Sequence, residues 1–168
     1  VNVTRRDTEQ AHLVFGGQAL NRDDERRWAL TVVDHVLGGG MSSRLFREIR
    51  EQRGLAYAVH SFRLPFKDSG AFANYVGTTP TQTSEVLKLG RSELDKMMQD
   101  GLTEKELNRA KGHVAGALAL SLEDSGSRMN RLGRNELTGI EQLSVDDIVA
   151  RVEAVDLEQA VAVARDVY

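Results

Sequence analysis

An α+β fold, a mostly antiparallel sheet with helices packed on one face, is predicted by three features of this 168-residue sequence. A short apolar run lies near the start, two alternating segments flank a turn in the first half, and helical periodicity fills most of the remainder. A length within roughly 100–200 residues favours one compact unit, read here as a single domain over residues 1–168. With 40% hydrophobic residues the chain can bury a core without covalent staples.

The elements follow in order. Residues 11–17, AHLVFGG, form an apolar run bounded by glycines and predict a buried strand. Asn21 is a candidate N-cap for a helix that begins with acidic residues and places Trp28, Ala29, Val32, Val33, Val36 and Leu37 on one face. Three glycines at 38–40 stop it, each lowering helix propensity by about 1 kcal/mol. A second helix is expected from Ser42 or Ser43, with Leu45, Phe46 and Ile49 inward. Its outer face would carry Arg44–Glu48 and Arg47–Glu51 as i,i+4 pairs, and Gly54 would end it. LAYAVHSFRL at 55–64 and GAFANYVGT at 70–78 alternate on either side of PFKDS, which predicts an antiparallel hairpin with a longer loop.

Thr79-Pro80 opens a long helix with Val86, Leu87, Gly90, Leu94, Met97 and Met98 on one stripe, closed at Asp100-Gly101. Thr103 and Glu106 then form a T-x-x-E capping box for a helix expected to bury Leu107, Ala110, Val114, Ala117 and Leu118. A helix over Ser125 to Leu137 and two short ones opening at Ser144 and Asp156 complete the chain, with TGIEQLS as a linker. The acidic pairs Asp23-Asp24 and Asp146-Asp147 fall at helix starts, where carboxylates complement the dipole.

Composition removes several function classes. The net charge is −3, from 22 basic and 25 acidic residues whose signs interleave, so no basic stripe marks a nucleic-acid partner. No apolar run approaches the roughly 18 residues of a membrane span, and VNVTRRDTEQ lacks the apolar stretch of a leader. Cys is absent, which excludes thiolate metal sites, cysteine nucleophiles and disulfides and fits a cytoplasmic location. His12, His35, His60 and His113 show no metal-ligand spacing, and no G-x-S-x-G elbow occurs. GGGMSS at 38–43 could cradle a phosphate at a helix start. It lacks the Walker lysine and follows a helix rather than a strand, so a helix-to-helix joint is the better reading.

The helix–turn–strand segment retains chemistry that these arguments do not remove. Arg50 falls in the last helical turn, where an arginine offsets the dipole, and Tyr57 begins a strand, where an aromatic packs at a sheet border. A glycine turn between them also allows both to project beyond one sheet edge as a pair of outward donors.

At these residues the sequence resembles the zinc metallopeptidases of the pitrilysin, insulin-degrading-enzyme and mitochondrial-processing-peptidase family, in its bacterial processing-peptidase-like form. SRLFREIREQRGLAYAV is similar to the signature of the second, C-terminal half of these proteins, with Arg50 and Tyr57 at the positions of its substrate-facing Arg and Tyr. The similarity runs from QAHLVFGGQAL through GLTEKELNRAK and fades after about Leu143. The resemblance implies a paired α+β half that clamps a peptide, with Arg50 holding substrate carbonyls and Tyr57 stabilising the oxyanion. It implies zinc in the complete enzyme, held by an N-terminal half or companion subunit, and it allows a homodimer. H-x-x-E-H is missing here, so this chain is expected to bind no zinc and to be inactive alone. The alternative within the family is a non-catalytic assembly or peptide-binding subunit.

Overall fold

The computed structural model describes residues 4 and 7–168; part of the opening segment VNVTRRDTEQ therefore lies outside the described residues. Three strands, β1 (Ala11–Gln18), β2 (Ala56–Pro65) and β3 (Gly70–Thr78), form one antiparallel sheet in the order β1-β3-β2. The hairpin β2–β3 is as expected, and β1 pairs with the other side of β3. Among the described residues six α-helices follow the predicted order: α1 (Arg27–Gly38), α2 (Thr83–Asp100), α3 (Glu104–Ser121), α4 (Ser125–Thr138), α5 (Val145–Glu153) and α6 (Leu157–Val167). The fold is α+β, with the helices on one face of the sheet.

Strand alternation divides the sheet cleanly. Leu13, Val76 and Val59 stand opposite one another and pack inward, as do Phe15 and Asn74. Against them lies α1, whose Ala29, Val32, Val33, Val36 and Leu37 are buried as the helical periodicity required; Leu30 is buried as well, and Trp28, expected on the same face, is half-buried. The helix is itself covered by α3, α5 and α6. On the opposite face His12, Val14, Tyr75, His60 and Phe62 point away from the helices, and Val14 is 63% exposed.

Several local expectations are corrected. Asn21 does not cap α1: its Oδ1 accepts from the Asp23 N–H at 2.9 Å, and Asp24 Oδ1 accepts from the Arg26 N–H at 2.8 Å. These short side chains stabilise successive turns instead, so α1 starts at Arg27 with no acid in its first turn. Thr79 caps nothing with its side chain; Pro80 opens a 3₁₀ turn, Pro80–Gln82, that leads into α2. Thr103 and Glu106 do form the capping box of α3. Of the residues expected inside α3, Leu107 and Ala110 are buried, Val114 and Leu118 are half-buried, and Ala117 is exposed. The second half of α3 runs beyond the core.

The helix after the glycines winds into a π turn over Phe46–Glu51. Its wider spacing dissolves the predicted i,i+4 pairs. Glu48 binds Arg53, five positions on, at 2.6 Å, whereas Arg44 reaches across to Glu106 with bonds of 2.8 and 2.9 Å. The Arg47–Glu51 pair does not form among the described residues.

Candidate functional site

Gly54 turns the chain out of the π segment with φ +64, a conformation that costs glycine nothing. Strand β2 then begins with an irregularity: Ala56 stands opposite Thr78 and Ala58 opposite Gly77, leaving Tyr57 as the extra residue of a bulge. The bulge re-aims its side chain over the outer face of the sheet. There the ring lies against Gly77, where a Cβ would come within 2.4 Å of the Tyr57 Cζ. Only a residue without a side chain lets the phenol cross β3 in this way.

The hydroxyl thus carried toward β1 donates to Gln10 Oε1 at 3.1 Å and lies 3.4 Å from His12 Nδ1. The Tyr75 hydroxyl approaches the same nitrogen at 2.8 Å, and the His60 ring sits 5.0 Å from that of Tyr75. The Tyr75 hydroxyl, with partial burial behind it, holds the Tyr57 phenol above the ordinary tyrosine range. Tyr57 is 45% exposed and remains protonated at neutral pH, so it can donate a hydrogen bond to an anionic oxygen. Beside it opens a cleft of about 380 Å³ lined by Gln10, Gly54, Ala56, Tyr57, Thr78 and Gln82.

Arg50 sits in the last turn of the π segment, exposed, with its guanidinium 5.0 Å from the centre of the Phe46 ring. Arg44 and Arg53 are each paired with a carboxylate; Arg50 has no such partner among the described residues. Phe46 and His60 share a second cleft of about 290 Å³ with Gly38, Gly39, Gly40 and Met41. Arg50 and Tyr57 therefore do not bond to each other. Arg50 stands over Phe46, whose ring packs against the edge of the core, whereas Tyr57 lies over the outer face of the sheet beside Gly77 and Tyr75. The glycine turn serves the joint: a Cβ on Gly38 would meet the Ser61 backbone nitrogen at 2.5 Å, so its glycine lets α1 end against β2.

Gln10, His12, Tyr75 and Gly77 were not among the expected site residues. Their common feature is strand register, which residue types alone do not reveal. Among the described residues no three His, Asp or Glu side chains converge, and His35 and His113 meet as stacked rings, 4.2 Å between centroids, rather than as ligands aimed at one point.

The family model described as the Peptidase M16 inactive domain matches residues 1–113. The chain is 52% identical over 167 residues to an uncharacterized zinc protease of Streptomyces coelicolor, covering 99% of this chain and 36% of that protein. With an uncharacterized zinc protease of Bacillus subtilis it shares 40% identity over 164 residues, covering 98% of this chain and 40% of the relative. The crystal structure of a peptidase M16 inactive domain from Pseudomonas fluorescens superposes with a TM-score of 0.85 at 26% identity, covering 96% of this chain and 38% of that one. A protease from Helicobacter pylori matches in fold alone, with a TM-score of 0.81 at 20% identity, covering 98% and 40% of the two chains. The chain thus spans well under half the length of these curated relatives.

Proposed function

The chain belongs to the Peptidase M16 inactive domain family, and on that premise we propose that it is the substrate-clamping half of a zinc-dependent endopeptidase whose metal is held by another part of the longer protein. The observation that carries this reading is the Tyr57 hydroxyl, delivered by a bulge and a glycine to an open sheet face, where it donates to the Gln10 carboxamide oxygen. A peptide laid across that face presents carbonyl oxygens. As one of them gains negative charge during hydrolysis, it becomes a stronger acceptor than the Gln10 carboxamide, and the phenol hydrogen bond transfers to it. Such a bond strengthens as the charge develops, which is the condition for accelerating a reaction rather than merely holding a substrate.

Arg50 has the complementary duty. Its charge is permanent, its fork of donors matches carbonyl oxygens, and the Phe46 ring beneath it limits where the guanidinium can go. It holds the peptide while Tyr57 acts on the reacting bond. Loss of one oxyanion donor typically costs about 2.7–4 kcal/mol of transition-state stabilisation.

The test is Tyr57→Phe in the complete, zinc-loaded protein. Peptide turnover should fall at least about tenfold, with folding and KM preserved because the ring still fills its place over Gly77. Unchanged turnover would remove Tyr57 from the chemistry.

A further inference from the structure

We propose that His12 and Tyr75 are positioning residues that fix the Tyr57 phenol for its proposed role, on which this inference rests. Three strands each contribute one member: His12 from β1, Tyr75 from β3 and Tyr57 from the β2 bulge. In the tautomer that carries its proton on Nε2, the imidazole of His12 offers a single lone pair, at Nδ1. Two phenols converge on it, Tyr75 at 2.8 Å and Tyr57 at 3.4 Å. The shorter bond takes the lone pair. The Tyr57 oxygen is thereby held beside polar atoms while its hydrogen is turned away, toward Gln10 Oε1 at 3.1 Å.

This arrangement solves a problem the bulge creates. A phenol on an irregular strand end, 45% exposed, would sample several rotamers, and a donor contributes to catalysis only when it is held close to its productive position. The His12 ring blocks one side, Tyr75 braced on His60 blocks another, and Gly77 leaves room underneath. His12 is exposed and lies outside the apolar core. Its contacts on this face run to the two phenols, so its removal should disturb Tyr57 before it disturbs the fold.

In the complete, zinc-loaded protein acting on a peptide, His12→Ala and Tyr75→Phe should each lower kcat about three- to thirtyfold, with KM changed less than about twofold. His12→Asn, whose side-chain oxygen takes the place of Nδ1, should restore most of the loss. In a Tyr57→Phe background His12→Ala should cost nothing further, because its effect passes through the phenol. Full kcat in both His12→Ala and Tyr75→Phe, or an equal His12→Ala loss with and without the Tyr57 hydroxyl, overturns the positioning role while leaving Tyr57 in place. Undiminished turnover in Tyr57→Phe alone overturns both readings, and far-UV circular dichroism on each variant separates these outcomes from misfolding.

Discussion

The Tyr57 ring rests on the backbone of Gly77, so closely that a Cβ at residue 77 would lie 2.5 Å from the phenol oxygen. The atoms in conflict are the far end of a side chain and not main chain, so a methyl there moves the ring instead of breaking the sheet. Gly77→Ala should therefore mimic loss of the phenol. Turnover should fall about tenfold or more, while stability changes by less than about 1 kcal/mol, the span of strand propensities. Kinetics and thermal unfolding of one preparation decide the matter, and full activity in Gly77→Ala would show that the observed ring position is not the working one.

Arg50 should fail differently from Tyr57. Its stack on Phe46 stabilises by only about 0.5–1 kcal/mol at an exposed site, so Arg50→Gln should leave folding nearly intact. If the guanidinium grips substrate carbonyls in ground and transition states alike, KM rises and kcat changes little. Steady-state kinetics on a peptide long enough to cross the sheet face would show this, with Arg50→Lys intermediate because it keeps charge and loses the planar fork. A large kcat defect at constant KM would place Arg50 at the reacting bond instead.

What could be read from the sequence follows the range of the forces involved. Helices α1, α2 and α3 and the β2–β3 hairpin declare themselves through periodicity, which reports burial over neighbouring turns. The misreadings occur where a distant partner or a short side chain overrules the local pattern. Asn21 was drawn into a turn by the Asp23 N–H, and Arg44 left Glu48 for Glu106, which lies 62 positions away. Arg50 and Tyr57 stand out by their spacing around a glycine turn. Gln10, His12 and Tyr75 do not, because β1 meets β3 only after folding, and one register step would turn His12 to the opposite face.

The Arg44–Glu106 pair predicts a particular acid sensitivity. Burial alone would raise the Glu106 carboxyl, but two bonds from Arg44 and one from the Thr103 N–H overrule it and lower it from 4.5 to about 2. The stability this provides is complete above pH 4.5 and is lost as the pH falls toward 2. The shift corresponds to at most about 3 kcal/mol, or about 2 after allowance for solvent screening. Glu106→Gln keeps a carbonyl for the capping box and removes the charge beside the half-buried Arg44. Urea unfolding should show it about 2 kcal/mol weaker at pH 7, with the gap narrowing below pH 4.5. A gap constant with pH would mean that packing, not charge, is what the mutation removes.

His35 acts at higher pH and through a different imbalance. Its ring stacks on His113 with 4.2 Å between centroids and 24° between planes, joining the end of α1 to α3. Burial lowers the imidazole from 6.5 to about 4, and the positive potential of His113 and Arg109 pushes in the same direction. The unfolded chain therefore takes up a proton first. Stability is full above pH 6.5, declines between 6.5 and about 4, and flattens below, with a loss of roughly 1–2 kcal/mol once partial exposure is discounted. His35→Phe preserves an aromatic face for His113 and cannot be protonated. Its urea midpoint should hold steady from pH 7 to 5, a window above that of Glu106, while the wild-type midpoint falls. An equal fall in both proteins would assign the acid sensitivity to other groups.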